Sequence, residues 1–339
     1  MNGRYSRQEL FAPIGREGQR KLGKKHVLVI GAGALGTGSA EMLVRAGVGK
    51  LTIVDRDYVE WSNLQRQQLY TEADAKQRIP KAVAAKEHLS LINSEVEVRS
   101  FVLDVSVEEM EQLVEDIDLI IDASDNFDIR MIMNDISQKH RIPWIYSACV
   151  GSYGISYAIL PGKTPCLSCL LDEVPMGGVT CDTVGIINPA VQMVLSLQIS
   201  EALKILVEDS LQLSNKLVSF DLWKNQYSSI DVDKVKKVDC PSCGSNRNYP
   251  YLSFENQTKT AILCGRDTVQ IRPSQQMDRD LEKLEGMLSG LGVNVSRNPY
   301  LLSFQTAQHR LVVFKDGRVL VHGTKTIPEA KTLYHRYLG

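Results

Sequence analysis

The stretch from His26 to Asp55 reads HVLVIGAGALGTGSAEMLVRAGVGKLTIVD. A short apolar run opens it, glycines follow at once, and a helical pattern of apolar residues runs from Leu35 to Ala46. A second run of the buried-strand type, Leu51 to Asp55, closes it. Strand, helix and strand in this order form a βαβ unit, whose crossover favours a parallel sheet. The stretch therefore predicts the start of an α/β domain.

The alternation of strand and helix patterns continues along the chain. Helices are predicted over 81–92, 107–115 and 127–139, and strands over 96–102, 118–122, 144–150 and 156–160. We interpret this order as α/β, a Rossmann-like, doubly wound and mostly parallel sheet. A Gly-, Pro- and Cys-containing segment over 161–189 predicts a long functional loop, before a helix at 189–207 and a strand at 217–221.

The chain of 339 residues is long enough for a large domain and a smaller one. We predict a first domain over 1–248 and a small C-terminal α+β domain over 249–339. In the latter the patterns predict a strand-like segment, a helix, a strand pair that turns at Asp316 and Gly317, and a last helix; these cover 260–272, 278–288, 301–304 with 311–321, and 328–337.

Composition excludes several classes of partner. Lys plus Arg and Asp plus Glu nearly cancel, at 39 against 40, so no long-range field favours nucleic acid or an anionic membrane.

The N-terminal residues do not read as a signal peptide, and the longest apolar stretch, 190–207, is interrupted by charges like a core helix. Seven cysteines without an export signal favour metal or thiol chemistry over disulfides. We expect a cytoplasmic protein.

The glycine loop predicts a nucleotide site. Gly31, Gly33 and Gly36 follow a strand and open a helix, so backbone N–H groups and the helix N-terminus can hold phosphates. Asp55, at the end of the second strand, is placed to accept hydrogen bonds from ribose hydroxyls. A tight structural turn is the alternative, and NAD and ATP are both open at this point.

Polar and basic residues downstream favour ATP. Nucleotidyl transfer must neutralise charge on the α-phosphate and on the leaving pyrophosphate, which hydride transfer does not require. The candidates for this work, each of which would otherwise read as part of a solvated turn or as a surface lysine, are Asn63, Arg66, Gln67 and Lys81.

Asp125 and Asn126 follow the predicted strand over 118–122. Ligands collect at the carboxyl ends of parallel strands, so the Asp125 carboxylate is a candidate for Mg²⁺ beside the phosphates. The alternative is that either residue only caps the helix that begins near Phe127.

Two C-x-x-C pairs predict a structural Zn²⁺ site. Four thiolates match a closed tetrahedral centre, and the 70 residues between the pairs (170 to 239) would make the metal a staple between the long loop and the end of the domain. Redox-active pairs are the alternative. The predicted ligands are Cys166, Cys169, Cys240 and Cys243.

The other thiols divide into two kinds. Cys181 lies in a glycine-flanked loop and is a candidate nucleophile, although no His stands near it in sequence to activate it. Cys149 and Cys264 lie in apolar runs and are interpreted as packing residues.

Together these motifs resemble those of the ThiF/MoeB family, the prokaryotic E1-like group. The resemblance covers about Arg4 to Gly244 and rests on the leader RYSRQ, the glycine loop, Asp55 to Gln67, Lys81, Ala123 to Asn126 and the cysteine pairs. It implies an E1-like form of the fold. It also implies adenylylation, with ATP and Mg²⁺, of the C-terminal glycine of a ubiquitin-like sulfur carrier protein ending in Gly-Gly.

The resemblance also implies roles for residues. Gly33 would lie in the nucleotide loop, Asp55 would hold the ribose, and Asp125 would be the magnesium and catalytic carboxylate. Asn63, Arg66 and Lys81 would contact the phosphates. Arg7 would reach into the partner subunit of a homodimer, and Cys181 would match a cysteine that can bond to the activated carrier.

The resemblance leaves two carriers open, and we expect the ThiS-type carrier of thiamine (thiazole) biosynthesis rather than the MoaD-type carrier of molybdopterin biosynthesis. No C-x-x-G-x-R loop of a rhodanese domain is evident after residue 248, so the sulfur source, a sulfurtransferase or cysteine desulfurase, is expected to be separate. The remaining alternatives are an NAD-dependent oxidoreductase, a non-catalytic scaffold and a tRNA-modifying dehydratase.

Overall fold

The computed structural model describes residues 3–171, 184–253, 260–263, 267–271, 278–290, 293–306 and 308–338. The chain divides into two compact units. Among the described residues, the first unit takes those up to 253 except 77–79 and 184, and the second takes the others. None of the described helices is both long and apolar enough to cross a membrane.

The first unit alternates strands and helices, as its sequence predicts. Its strands are β1 (His26–Ile30), β2 (Lys50–Asp55), β3 (Glu97–Val102), β4 (Leu119–Asp122), β5 (Trp144–Val150), β6 (Tyr153–Ile159), β7 (Lys216–Asp221) and β8 (Gln226–Asp231). Its described helices are α1 (Ser6–Glu9), α2 (Gly15–Leu22), α3 (Ala34–Ala46), α4 (Glu72–Gln77), α5 (Lys81–Ile92), α6 (Val107–Leu113), α7 (Phe127–His140), α8 (Leu167–Leu170) and α9 (Asn188–Leu206).

The strands form one eight-stranded sheet in the order β3-β2-β1-β4-β5-β6-β7-β8. The five strands from β3 to β5 are parallel, and β6, β7 and β8 continue the sheet in antiparallel register. The order reverses beside β1, because β2 follows β1 on one side and β4 lies on the other. The predicted Rossmann-like, mostly parallel α/β class is confirmed, and a ligand is expected at this switch point.

The central strands are buried throughout, which is why their sequences read as unbroken apolar runs. All residues of β1 and β4 are buried, as are the middle four of β2. Helix α9 covers part of the sheet, with Val191 and Leu195 packed in one cluster with Leu35 and Phe220. This packing holds the first turn of α3 beside the sheet.

Strand β8 was not predicted. All six of its residues are exposed, and it pairs with β7 alone at the edge of the sheet. A strand with no buried face has no alternation of apolar and polar residues, so its sequence carries no periodic signal.

The second unit contains a six-stranded sheet in the order β11-β12-β13-β14-β10-β9, with antiparallel pairs throughout. The strands are β9 (Thr260–Leu263), β10 (Thr268–Ile271), β11 (Val295–Arg297), β12 (Leu301–Gln305), β13 (Arg310–Phe314) and β14 (Val319–His322), and the helices are α10 (Leu281–Gly290) and α11 (Ile327–Leu338). The turn at Asp316 and Gly317 joins β13 to β14, as predicted, and Gly317 has a positive φ of 86°.

Two details of this unit differ from the predictions. The strand-like segment over 260–272 contains two antiparallel strands, β9 and β10, and β11 was not predicted. A short hairpin with both strands apolar looks like one long strand in sequence, because the period is the same on either side of the turn.

Residues of one face of β12, β13 and β14 pack with the two helices around Leu288, Leu311 and Val321. Cys264 lies outside the described residues.

Candidate functional site

The glycine loop is pressed against the end of β4. Gly31 has a φ of +100°, and a Cβ atom there would lie 2.4 Å from the Ala123 carbonyl oxygen. A Cβ atom at Gly36 would lie 1.9 Å from the Gly31 carbonyl oxygen. Both positions therefore require glycine for close backbone approach.

Gly33 has a different environment from the other two glycines. A Cβ atom at Gly33 would meet only the Gln67 amide nitrogen, at 3.9 Å. Gly33 is the N-cap residue of α3, and no side chain caps this helix. The first N–H groups of α3 are thus available to an anion, as a phosphate cradle requires.

Asp55 and Tyr70 fix this loop from the other side. The Asp55 carboxylate accepts hydrogen bonds from the backbone N–H groups of Ala32 and Asp57, each at 2.6 Å. Burial raises the pKa of Asp55, although Lys81 and these two hydrogen bonds act in the opposite direction. The Tyr70 hydroxyl lies 2.7 Å from the Ala32 carbonyl oxygen and 3.1 Å from that of Lys81, so its single proton ties the loop to the start of α5.

The turn over 60–67 brings its polar residues toward the loop. The Asn63 side-chain oxygen accepts the Glu60 N–H at 2.9 Å, which leaves the Asn63 NH₂ group for other contacts. Gln67 is 3% exposed, and its side-chain oxygen has no hydrogen-bond partner among the described residues. A buried amide oxygen without a partner is costly, and a ligand with donor groups would satisfy it. Arg66 is half-buried and donates to the Ser62 carbonyl oxygen at 2.9 Å.

Lys81 is the first residue of α5 and is 4% exposed. Its ammonium nitrogen lies 3.4 Å from the Asp57 carboxylate. Lysine is rarely buried this deeply unless its charge is paired, as the charge of Lys81 is with Asp57. The interpretation of Lys81 as a surface lysine is therefore wrong.

Asp125 and Asn126 have different roles in the structure. The Asn126 side chain caps α7 by accepting the Asp128 N–H at 2.8 Å. Asp125 takes no part in the cap, and its side chain is 80% exposed at the carboxyl end of β4. An exposed carboxylate at this edge has oxygen donors of the kind that Mg²⁺ prefers.

Contacts join several of these residues to the glycine loop. Direct contacts join the loop to Asp55, Tyr70 joins it to Lys81, and Gln67 lies beside Gly33. Of the described residues predicted near the nucleotide, Arg7 is not brought into this group. Arg7 is exposed on α1, and Cys181 lies outside the described residues.

Arg130, which no sequence pattern identifies, holds the turn that contains Asp125. Its side chain is 7% exposed and pairs with the fully buried Asp122 at 2.8 Å. It also donates to the carbonyl oxygens of Ser124 and Ser147, and it lies over the rings of Phe127 and Tyr146. A helical arginine four residues past a cap usually reads as a solvated residue. Only its burial shows that it fixes the turn over 122–126.

The four predicted cysteine ligands form one buried cluster. The sulfur atoms of Cys166 and Cys240 are 3.6 Å apart, those of Cys169 and Cys243 are 3.5 Å apart, and all four lie within 4.8 Å of one another. Tetrahedral Zn–S bonds of about 2.3 Å require sulfur separations of about 3.8 Å. The cluster is compatible with Zn²⁺, and two pairs that face each other at this distance disfavour independent redox pairs.

A polar network ties the cysteine cluster to α7. The Asn134 side chain accepts the Leu167 N–H at 2.8 Å and donates to the Ser168 hydroxyl at 3.2 Å. The Ser168 and Ser242 hydroxyls are 2.9 Å apart, and Ser242 hydrogen-bonds to the Asp135 carboxylate. Since Asp135 accepts from Ser242, Ser168 must donate to Ser242. Both middle residues of the first cysteine pair and Ser242 of the second are therefore held by Asn134 and Asp135, two neighbouring residues of α7.

We expect Asn134→Ala to destabilise the protein by about 1 to 3 kcal/mol, because the mutation leaves the Leu167 N–H without its acceptor. It should also speed the loss of bound metal to a chelator. Thermal denaturation and a chromogenic zinc-release assay measure the two effects. Asn246→Ala, at an exposed asparagine three residues after Cys243, is the control and should change neither. Equal release rates for both variants would contradict the role of the network.

Comparisons with known proteins show the family of the chain. Residues 5–242 match the sequence model of the ThiF family. The chain is 55% identical to the sulfur carrier protein ThiS adenylyltransferase of Bacillus subtilis (strain 168), over 100% of both chains. It is 31% identical to the molybdopterin-synthase adenylyltransferase of Escherichia coli (strain K12), over 71% of this chain and 96% of that protein.

Solved structures agree at the level of the fold. The crystal structure of E. coli MccB with ATP is similar with a TM-score of 0.63 and 23% sequence identity. The similarity covers 72% of this chain and 74% of that chain.

Proposed function

The chain belongs to the ThiF family, and from that premise we propose that it adenylylates the C-terminal glycine of a ThiS-type, ubiquitin-like sulfur carrier protein. It is an adenylyltransferase. The observation that carries the choice of carrier is the 55% identity to the ThiS adenylyltransferase over the full length of both chains. The molybdopterin-synthase relative matches only 71% of this chain.

The reaction joins a carboxylate to the α-phosphorus of ATP. A carboxylate oxygen of the carrier's terminal glycine forms the new bond to phosphorus, the bond from this phosphorus to the bridging oxygen breaks, and pyrophosphate leaves. No proton is gained or lost in this exchange. The enzyme must therefore orient two anions and offset their repulsion, rather than supply a general base.

The residues of the site suit this task. The N–H groups at the start of α3 hold phosphate oxygens, Asp55 accepts from the ribose, and Gln67 offers its unpartnered amide oxygen to the nucleotide. Lys81 and Arg66 supply positive charge. Asn63 and Asn126 complete the set of proposed nucleotide contacts.

Mg²⁺ fits the same edge of the sheet. Asp125 would hold it, and the bound ion would neutralise charge on the phosphates. The four cysteines would hold Zn²⁺ as a structural ion that joins the segments of the two pairs.

Further proposals concern partners and location. An exposed Arg7 suits a homodimer in which α1 reaches the second subunit's site. Cys181 is proposed as the thiol that bonds to the activated carrier, and a separate sulfurtransferase or cysteine desulfurase would donate the sulfur. We place the enzyme in the cytoplasm, because reduced thiols persist there.

Isotope exchange between pyrophosphate and ATP tests the function. We expect exchange with a ThiS-type carrier, and much slower exchange with a MoaD-type carrier at the same concentration. A ThiS-type carrier without its terminal glycine is the control and should support none. Faster exchange with the MoaD-type carrier would reassign the substrate. No exchange with either, together with thermal stabilisation by NAD but not by ATP and Mg²⁺, would replace the proposal with an oxidoreductase.

A further inference from the structure

Arg56 lies between two carboxylates at the edge of the sheet where the nucleotide loop ends. It directly follows Asp55, the last residue of β2. One guanidinium nitrogen lies 3.3 Å from an Asp104 oxygen, and the other terminal nitrogen lies 3.7 Å from an Asp125 oxygen. Asp104 follows β3 and Asp125 follows β4, so one side chain links the ends of three strands.

The two ends of this link differ in exposure. The Arg56 and Asp104 side chains are 16% and 8% exposed, whereas that of Asp125 is 80% exposed. The buried pair is little screened by solvent and has a fixed position. Burial opposes the charge of Arg56, but the carboxylates of Asp104 and Asp125 raise its pKa above the usual value. The guanidinium is therefore always charged, and its ion pair with Asp104 holds it in place.

Asp125 has no other ion pair among the residues that the structure describes. An exposed aspartate samples several rotamers, and a metal ligand must occupy one of them. An exposed ion pair contributes little to stability, but a partner that is itself fixed biases the orientation of the carboxylate.

We propose that Arg56, anchored on Asp104, is a positioning residue that orients the Asp125 carboxylate for Mg²⁺. This inference rests on the proposed function, which gives Asp125 its metal-binding role. The ion pair at 3.7 Å and the anchor at 3.3 Å carry it. Loss of an outer partner of a metal ligand typically costs about 10- to 100-fold in metal affinity or activity.

Calorimetric titration of the full-length protein with a non-hydrolysable ATP analogue tests the proposal, once with Mg²⁺ and once with a chelator. Arg56→Met should weaken binding with Mg²⁺ by about 10- to 100-fold and leave metal-free binding within about twofold. Arg56→Lys should not restore the lost affinity, because lysine offers a single nitrogen, whereas Arg56 reaches Asp104 and Asp125 with two different terminal nitrogens. In an Asp125→Asn background, Arg56→Met should have no further effect.

Two further variants control for folding and for charge. Arg56→Met together with Asp104→Asn removes both buried charges, so this double variant should keep the melting temperature while it shows the same loss of Mg²⁺-dependent affinity. Arg99→Met removes an exposed arginine of β3 that pairs with Glu97, and it should bind the analogue like the wild type.

The outcomes separate this proposal from the proposed function. If metal-free binding falls as much as binding with Mg²⁺, or if lysine restores the affinity, Arg56 is a phosphate contact and the proposal is wrong. The proposal is also wrong if the wild type binds the analogue equally with and without Mg²⁺. The function itself fails only if the wild type shows no carrier-dependent exchange.

Discussion

Asp125→Asn is expected to lower the rate of carrier-dependent exchange between pyrophosphate and ATP by about 10²- to 10³-fold, because it removes the proposed ligand of the Mg²⁺ that stabilises developing charge on the phosphates. The substitution keeps the size of the side chain and removes its charge. Because Asp125 is 80% exposed and Asn126 provides the helix cap, this carboxylate and its exposed ion pair with Arg56 contribute little to the stability of the fold. The melting temperature should therefore stay within about 1 °C of the wild type, since surface changes of this kind cost little.

Asp128→Asn is the matched control for that experiment. Asp128 is an exposed acid three residues further on, in the first turn of α7. If Asp125→Asn lowered activity only by removing negative charge near the N-terminus of α7, Asp128→Asn would lower it as well. Equal exchange rates for Asp125→Asn and the wild type would remove Asp125 from the mechanism.

Cys240→Ser is expected to lower the stability of the protein more than Asn134→Ala does. Zn²⁺ prefers the soft thiolate to a serine hydroxyl, so the variant should be purified with much less than one zinc per chain. Binding of structural zinc contributes about 10 to 16 kcal/mol to the folding of small zinc peptides. The cluster here joins α8 to the segment that follows β8, and we expect this segment to become susceptible to proteolysis while the central sheet remains folded.

Cys149→Ser tests whether any cysteine replacement has this effect. Cys149 lies in β5, outside the cluster, and its variant should keep its zinc. Zinc content by a chromogenic chelator and limited proteolysis with mass spectrometry give the two readouts. A Cys240→Ser protein with full zinc content and unchanged proteolysis would show that the cluster is not the metal site.

Several features of the site could be predicted because their signals are local. Gly31 and Gly36 stand where backbone must approach backbone, and the geometry of a strand, a turn and a helix is encoded within a few residues. The spacing within each C-x-x-C pair likewise identifies a ligand pair, and two such pairs suggest a common ion.

Other features have no local signal. In sequence, Asp125 and Asn126 are equally good caps, and Arg56 and Arg130 look like ordinary solvated arginines. Their roles differ because of what packs around them. Asn126 caps α7, Arg130 is buried against Asp122, and Arg56 reaches the ends of two other strands.

The sequence by itself therefore determined the class of the fold, the glycine loop and the members of the four-cysteine cluster, since these depend on hydrophobic periodicity and short spacings. Only the tertiary structure decided that Asp125 takes no part in the helix cap, that Lys81 is buried beside Asp57, and that Asn134 and Asp135 hold the cysteine segments. For Lys81, Asn134 and Asp135 the physical reason is that their contacts join residues distant in the chain. Their existence depends on the order and register of strands and on the packing of helices across them, which no short stretch of sequence specifies.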